Sequence, residues 1–122
     1  MKVLLGIGGS DDSLTALERT VSRAVAAGDE LTVAILDNPQ SDRSKDEIRE
    51  KANAVLDDSE LEASVRDVSG DPGSRLLDIA ESEGFDQIVL GGGQRSPMGK
   101  IRLGHIAEFV LLNSHVSVKL VR

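Results

Sequence analysis

Asp86-Gln-Ile-Val-Leu-Gly-Gly-Gly-Gln-Arg-Ser-Pro-Met-Gly-Lys-Ile-Arg-Leu-Gly-His105 is the stretch around which the rest of the chain is arranged. Ile88-Val89-Leu90 reads as a short buried strand, and it ends in Gly91, Gly92 and Gly93. Glycine tolerates positive φ and lets another group approach the backbone, so three glycines at a strand's carboxyl end suit a loop that wraps a ligand. Arg95, Ser96, Gly99 and Lys100 then supply two cations, a hydroxyl and a flexible hinge, before a helical pattern starts near Gly104 and His105. Helix starts attract anions, so the expected guest is a phosphate.

Upstream, Lys2 to Ile7 is apolar almost throughout, as a central parallel strand buried on both faces should be. It runs into Gly8-Gly9-Ser10-Asp11-Asp12-Ser13, a turn of helix-capping residues, and Leu14, Leu17, Val21, Ala24 and Val25 then recur at helical spacing. Asp11, Asp12 and Ser13 are read as capping that helix, not as magnesium ligands. Gly28 sits where a left-handed cap is expected, and Glu30 to Leu36 is a second β-favouring run. Asp37 to Asp46 is polar and aperiodic and reads as a surface loop. A second helix follows from Lys45 to Asp58 with Ile48, Ala52, Val55 and Leu56 as its apolar positions. Leu61, Ala63 and Val65 alternate with polar residues like a strand at a sheet edge, which Val68 extends. Gly70-Asp71-Pro72 punctuates the chain before a helix striped by Leu76, Leu77, Ile79 and Ala80 and closed by Gly84. After the glycine loop a fourth helix carries Ile106, Phe109, Val110 and Leu111 and ends at Asn113. Val116 to Val121 alternates as a last strand.

Five strands alternating with four helices predict an α/β fold: a single doubly wound domain over residues 1–122. Its five-stranded, mainly parallel sheet has order 3-2-1-4-5, with helices on both faces. Ligands on such sheets bind beyond the strands' carboxyl ends where the winding reverses, here between the first and fourth strands, which brings Gly8-Gly9 and Gly91-Gly92-Gly93 face to face across one crevice; Ile7, Gly8 and Leu36 are candidate cofactor-binding residues with that turn. The 122 residues, 39% hydrophobic and 29% charged, are those of a globular chain with room for one domain, and with 2% aromatics its core must be aliphatic. The net charge of −7 argues against nucleic-acid binding. No apolar run approaches the about 20 residues of a membrane span, and no signal-peptide pattern opens the chain, so the expected location is the cytoplasm. There is no cysteine, and 2 separated histidines do not make a zinc site, so neither thiol chemistry nor a protein-held zinc is expected. The acidic balance suits solubility or a salt-rich cytoplasm.

The chain resembles the universal stress proteins over essentially its whole length. Lys2 to Ser13 follows the family's opening strand and capped helix, Gly70-Asp71-Pro72 its Gly-Asp-Pro, and Phe85-Asp86-Gln87-Ile88-Val89-Leu90-Gly91 its Ala-Asp-Leu-Ile-Val-Met-Gly-like fourth strand. In nucleotide-binding members that strand opens a Gly-x-x-Gly-x9-Gly-Ser/Thr loop holding the phosphates and ribose of ATP. Gly91 takes the first glycine and Gly104 the third. Gln94 stands where the second belongs, beside Gly93; His105 replaces the Ser/Thr; and Gly8 replaces an aspartate on the adenine side. The resemblance implies ATP or another adenine nucleotide, with or without magnesium, in a degenerate loop, with Arg95 and Lys100 offsetting the lost hydroxyl. A glycine-rich connection imposed by close helix packing is the rival reading of the same loop.

No residue is expected to be catalytic, His105 being better placed to face a phosphate. The leading expectation is a regulatory or ligand-sensing stress-response module. The alternative is an adenine-nucleotide-binding protein with slow ATP hydrolysis, and a ligand-free interaction protein is a third reading. The family commonly forms homodimers by antiparallel pairing of the last strand, for which Val116, Val118 and Leu120 offer alternating apolar contacts. His115 is read as a surface or interface residue beside that strand.

Overall fold

The run Lys2–Ile7 forms strand β1, and its side chains are buried to both sides: Leu5 and Ile7 join one core cluster and Leu4 the other. A computed structural model describes residues 1–38, 41–92, 94–95, 101–102 and 104–121. Helix α1 (Asp11–Ala27) starts at Ser10, whose hydroxyl accepts from the Ser13 N–H at 3.1 Å, and stops at Gly28, with φ of 70°. Strand β2 (Glu30–Leu36) then lies parallel to β1. Helix α2 (Lys45–Ser59) is capped by Ser44 and buries Ile48, Ala52 and Leu56, one side chain per turn.

Strand β3 (Ser64–Val68) begins three residues later than the alternation from Leu61 predicts. Glu60 closes α2 in the left-handed region, with φ of 59°, and the Ser59 hydroxyl accepts from the Leu61 N–H at 3.1 Å, holding that segment in a turn. Leu61 and Ala63 nevertheless pack against the core. Helix α3 (Pro72–Ser82) has proline in its first turn, where no N–H is missed, and Asp71 as its cap. Strand β4 (Gln87–Gly91) follows, then a short antiparallel pair, β5 (Gln94–Arg95) and β6 (Ile101–Arg102), which hydrophobic patterning does not announce. Helix α4 (His105–Asn113) and strand β7 (Ser117–Val121) complete the order.

The main sheet runs β3-β2-β1-β4-β7 with every pairing parallel, which is the expected 3-2-1-4-5 order with β7 as its fifth strand. Helices α1 and α2 cover one face through Leu17, Val21, Ile48 and Leu56, while α3 and α4 cover the other through Leu76, Ile79, Ala80 and Val110. Two helix faces depart from expectation. On α1, Leu17, Val21 and Ala24 fill the buried stripe and Val25 falls outside it, 51% exposed. On α4 the buried stripe is Ala107 and Val110, with Phe109 40% and Leu111 39% exposed, because a nine-residue helix at the sheet's margin meets the core along one narrow line. Among the described residues no helix is long and apolar enough to cross a membrane.

Candidate functional site

From the central pair β1 and β4 the chain winds outward in opposite directions, toward β2 and toward β7, so the loops leaving their carboxyl ends diverge. The gap is a crevice of about 640 Å³, within the about 300–1,000 Å³ usual for small-molecule sites. Gly8, Leu36, Gly91, Gly92, Gly104 and His105, all candidates from sequence, share its wall. Ile7 does not reach it with its side chain, which is 0% exposed in the core under α1 and α2. Arg95 lies in β5. Gly93, Ser96, Gly99 and Lys100 lie outside the described residues.

The glycines on the wall are there for different reasons. A Cβ on Gly91 would strike the backbone of Asp12 and lie 2.7 Å from the Ser13 N, so this glycine lets β4 end against the start of α1. Close packing alone accounts for it. Gly104 is the opposite case: its φ is −70°, and a Cβ built on it meets nothing within 4 Å. Neither strain nor crowding inside the chain calls for glycine at that position.

Three helices begin at the crevice, and their starts differ. The α1 start is closed by the Ser10 side chain, and the Asp71 carboxylate accepts from the Ser74 N–H at 3.0 Å to close α3. At α4 the cap position is Gly104, which has no side chain to accept from the first-turn N–H groups. Those donors and the positive end of the helix dipole therefore face the crevice, with His105 as the first helical residue beside them. Asp71 also lines the crevice. The backbone N–H and then the hydroxyl of Ser74 hold its carboxyl below the ordinary aspartate value.

The rim on the β2 side is built from residues that sequence patterning passes over as a polar loop. The Asn38 amide donates to the Gly8 carbonyl at 3.0 Å and lies where a side chain at position 8 would project, 3.1 Å from the position of its Cβ. Arg43 donates to the Gly9 carbonyl at 2.5 Å and to Asp11 at 3.0 Å, fastening the loop after β2 to the turn after β1. Lys45 sits between Asp37 at 2.6 Å and Asp67 at 2.5 Å. Asp37 also accepts from the Gly70 N–H at 2.9 Å, and the Lys45 hydrogen bond, followed by that of Gly70, lowers its pKa. These contacts span about thirty residues of sequence or are charge pairs, and neither leaves a periodic signal.

The candidate interface residues lie at the sheet margin. Val116, Val118 and Leu120 are half-buried against the core beneath α3 and α4. Leu112, 76% exposed, adds apolar surface on α4, which packs beside β7. His115 is exposed, 3.5 Å from Glu81. Among the described residues no group of three or more His, Asp or Glu is gathered as for a metal ion.

A doubly wound parallel sheet with an open crevice at its winding reversal defines the class of protein. Within that class the chain belongs to the universal stress protein family, whose model matches residues 1–122. No curated protein matches the chain. Among solved structures it is similar to a universal stress protein from Archaeoglobus fulgidus, at 21% identity and a TM-score of 0.78 over 100% of this chain and 98% of that one. It is also similar to a universal stress protein in complex with cAMP, at 27% identity and a TM-score of 0.77, covering 100% and 96% of the two chains. The universal stress protein from Archaeoglobus fulgidus in complex with dAMP matches at 21% identity and a TM-score of 0.72, covering 100% and 98%.

Proposed function

We propose that residues 1–122 fold as one unit that binds an adenine nucleotide in the crevice between β1 and β4 and acts as a regulatory, ligand-sensing stress-response module, working as a homodimer. The observation that carries the reading is the start of α4: a nine-residue helix whose cap is a glycine without steric need, opening on a cavity of nucleotide size. Its first-turn N–H groups receive the phosphate, His105 donates beside them, and Gly8, Leu36 and Asn38 flank the end of the crevice where the nucleoside lies. The relative solved with cAMP and the one solved with dAMP support an adenine nucleotide as the ligand class. Binding and sensing is preferred to catalysis because the Asp71 carboxylate on the wall is engaged by Ser74 as the cap of α3 and not turned to a substrate.

Calorimetric titration of the nucleotide-stripped protein with AMP, cAMP and ATP, each with and without magnesium, tests the proposal. Saturable heat with Kd in the range of about 1–100 μM for at least one of them is the expected result, and the ranking identifies the phosphate number the altered loop accepts. Absence of heat with all three at millimolar concentration, from protein shown folded by circular dichroism, would overturn it. For the dimer, the outer edge of β7 is unpaired among the described residues, with Val116 just before the strand, Val118 and Leu120 on it, and exposed Leu111 and Leu112 on the adjoining helix.

A further inference from the structure

The two helices on the α1 face do not cover all five strands. Helix α2 packs on β2 and β3, while α1 lies over β1 and β4 and only reaches the near side of the margin strand β7, which is partly uncovered beside it. A trough of about 340 Å³ opens there, with Val3, Val89 and Val121 at its apolar floor. It shares no lining residue with the crevice.

Its walls are basic in a chain whose net charge is −7. Arg19 and Arg23, one turn apart on α1, face Lys119 on β7 across it. None of the three makes a hydrogen bond or ion pair among the described residues. The carboxylate on the wall, Asp29, is 8% exposed and already paired with the amino terminus at 3.3 Å, so it does not neutralise them. Thr20 adds a hydroxyl: the residue is 8% exposed, lines the trough, and its side chain has no hydrogen-bond partner among the described residues. Gln87 also lines the trough.

We propose that this trough is a second ligand site, for a small molecule carrying two or more negative charges, such as a phosphoryl group, clamped by Arg19, Arg23 and Lys119 and hydrogen-bonded by Thr20. Guanidinium N–H groups donate to such oxygens in bidentate fashion, and the apolar floor under the cations lowers the local dielectric and strengthens the pairing. Because the Val118 side chain packs against the core on the opposite face of the sheet, pairing of β7 with a second copy at its edge leaves Lys119 in place.

The probe is inorganic pyrophosphate, titrated into the full ¹⁵N-labelled chain and followed by two-dimensional NMR, with the triple variant R19Q/R23Q/K119Q alongside. All three positions are exposed, so the variant keeps the core. Expected are saturable shifts clustered at residues 19–24, 87–89 and 117–121, and binding at least about tenfold weaker in the variant. A retained AMP titration would separate this site from the crevice. Shifts confined to residues 8–13 and 91–106, no saturation at tens of millimolar, or equal binding by the variant would each overturn the proposal.

Discussion

Gly8 and Gly104 border the same crevice and carry opposite lessons about substitution. An aspartate at position 8, the residue of ATP-binding relatives in the family pattern, meets the Asn38 side chain, whose Cβ and Nδ2 lie 3.2 and 3.1 Å from the new Cβ. Gly8→Asp should therefore destabilise the chain by about 1 kcal/mol, and adding Asn38→Gly should recover most of the loss. Urea unfolding of the two single variants and the double checks this through a coupling of at least about 0.5 kcal/mol; strict additivity would mean that Asn38 yields freely. Rebuilding the family's loop through Gly8, Gln94 and His105 is thus incomplete without position 38. Gly104→Asp should behave in the other sense. An aspartate there caps α4 with its own carboxylate and gains a few tenths of a kcal/mol, while the charge competes with phosphate. Thermal unfolding should be unchanged or slightly raised, and nucleotide affinity should fall at least about tenfold. Undiminished affinity would remove α4 from the phosphate site.

At the scale of elements, the cap of α3 makes that helix start sensitive to acid. The folded-state pKa of Asp71 lies below its ordinary 3.8, through the Ser74 N–H and hydroxyl. A lowered carboxylate pKa gives stability that is complete above the unfolded value and is lost as pH falls through the folded one. Wild type should therefore lose stability below about pH 4 more steeply than Asp71→Asn, as denaturant midpoints measured from pH 6 to pH 2.5 would reveal. Parallel curves would assign the acid response elsewhere, Asp37 being the other carboxylate with a lowered pKa. The same elements show what a sequence discloses. β1 and β2 run over Lys2–Ile7 and Glu30–Leu36, the bounds read from their apolar runs, because a strand buried on both faces is apolar nearly throughout and its polar residues fall at or near its start. α4 was less legible: its apolar residues surround it, so the line facing the core, Ala107 and Val110, depends on where the helix is set down. For the crevice, glycine-rich turns and helix starts are visible as residue types, whereas the Asn38 and Arg43 contacts to Gly8 and Gly9 arise from tertiary placement.

For the whole molecule, the margin strand matters most. β7 pairs with β4 on one side, and among the described residues no strand pairs with its other side, the edge proposed for a second copy. Val118→Pro removes a backbone donor from β7 and disturbs the packing beneath α4. On the proposed dimer, light scattering should give twice the 13.0 kDa of one chain for the unaltered protein and the monomer mass for the folded variant. A dimer that persists in the folded variant would place the interface elsewhere. Leu112→Glu, a substitution at a residue 76% exposed, makes the same test without touching the sheet.

The unfinished start of α4 bears on time as well as affinity. Ser10 and Asp71 accompany α1 and α3 permanently, whereas α4 lacks any such companion of its own and begins where a nucleotide would come and go. Its first turn should open and close on the clock of ligand residence, with amide hydrogen exchange at residues 106–108 slowed by nucleotide while the starts of α1 and α3 keep their rates. Three residues separate the end of α4 from β7. On the proposed function, the lifetime of a small molecule at one end of that helix would be felt at the strand offered to a second copy, and the chain would keep a short physical record of how recently a nucleotide had been present.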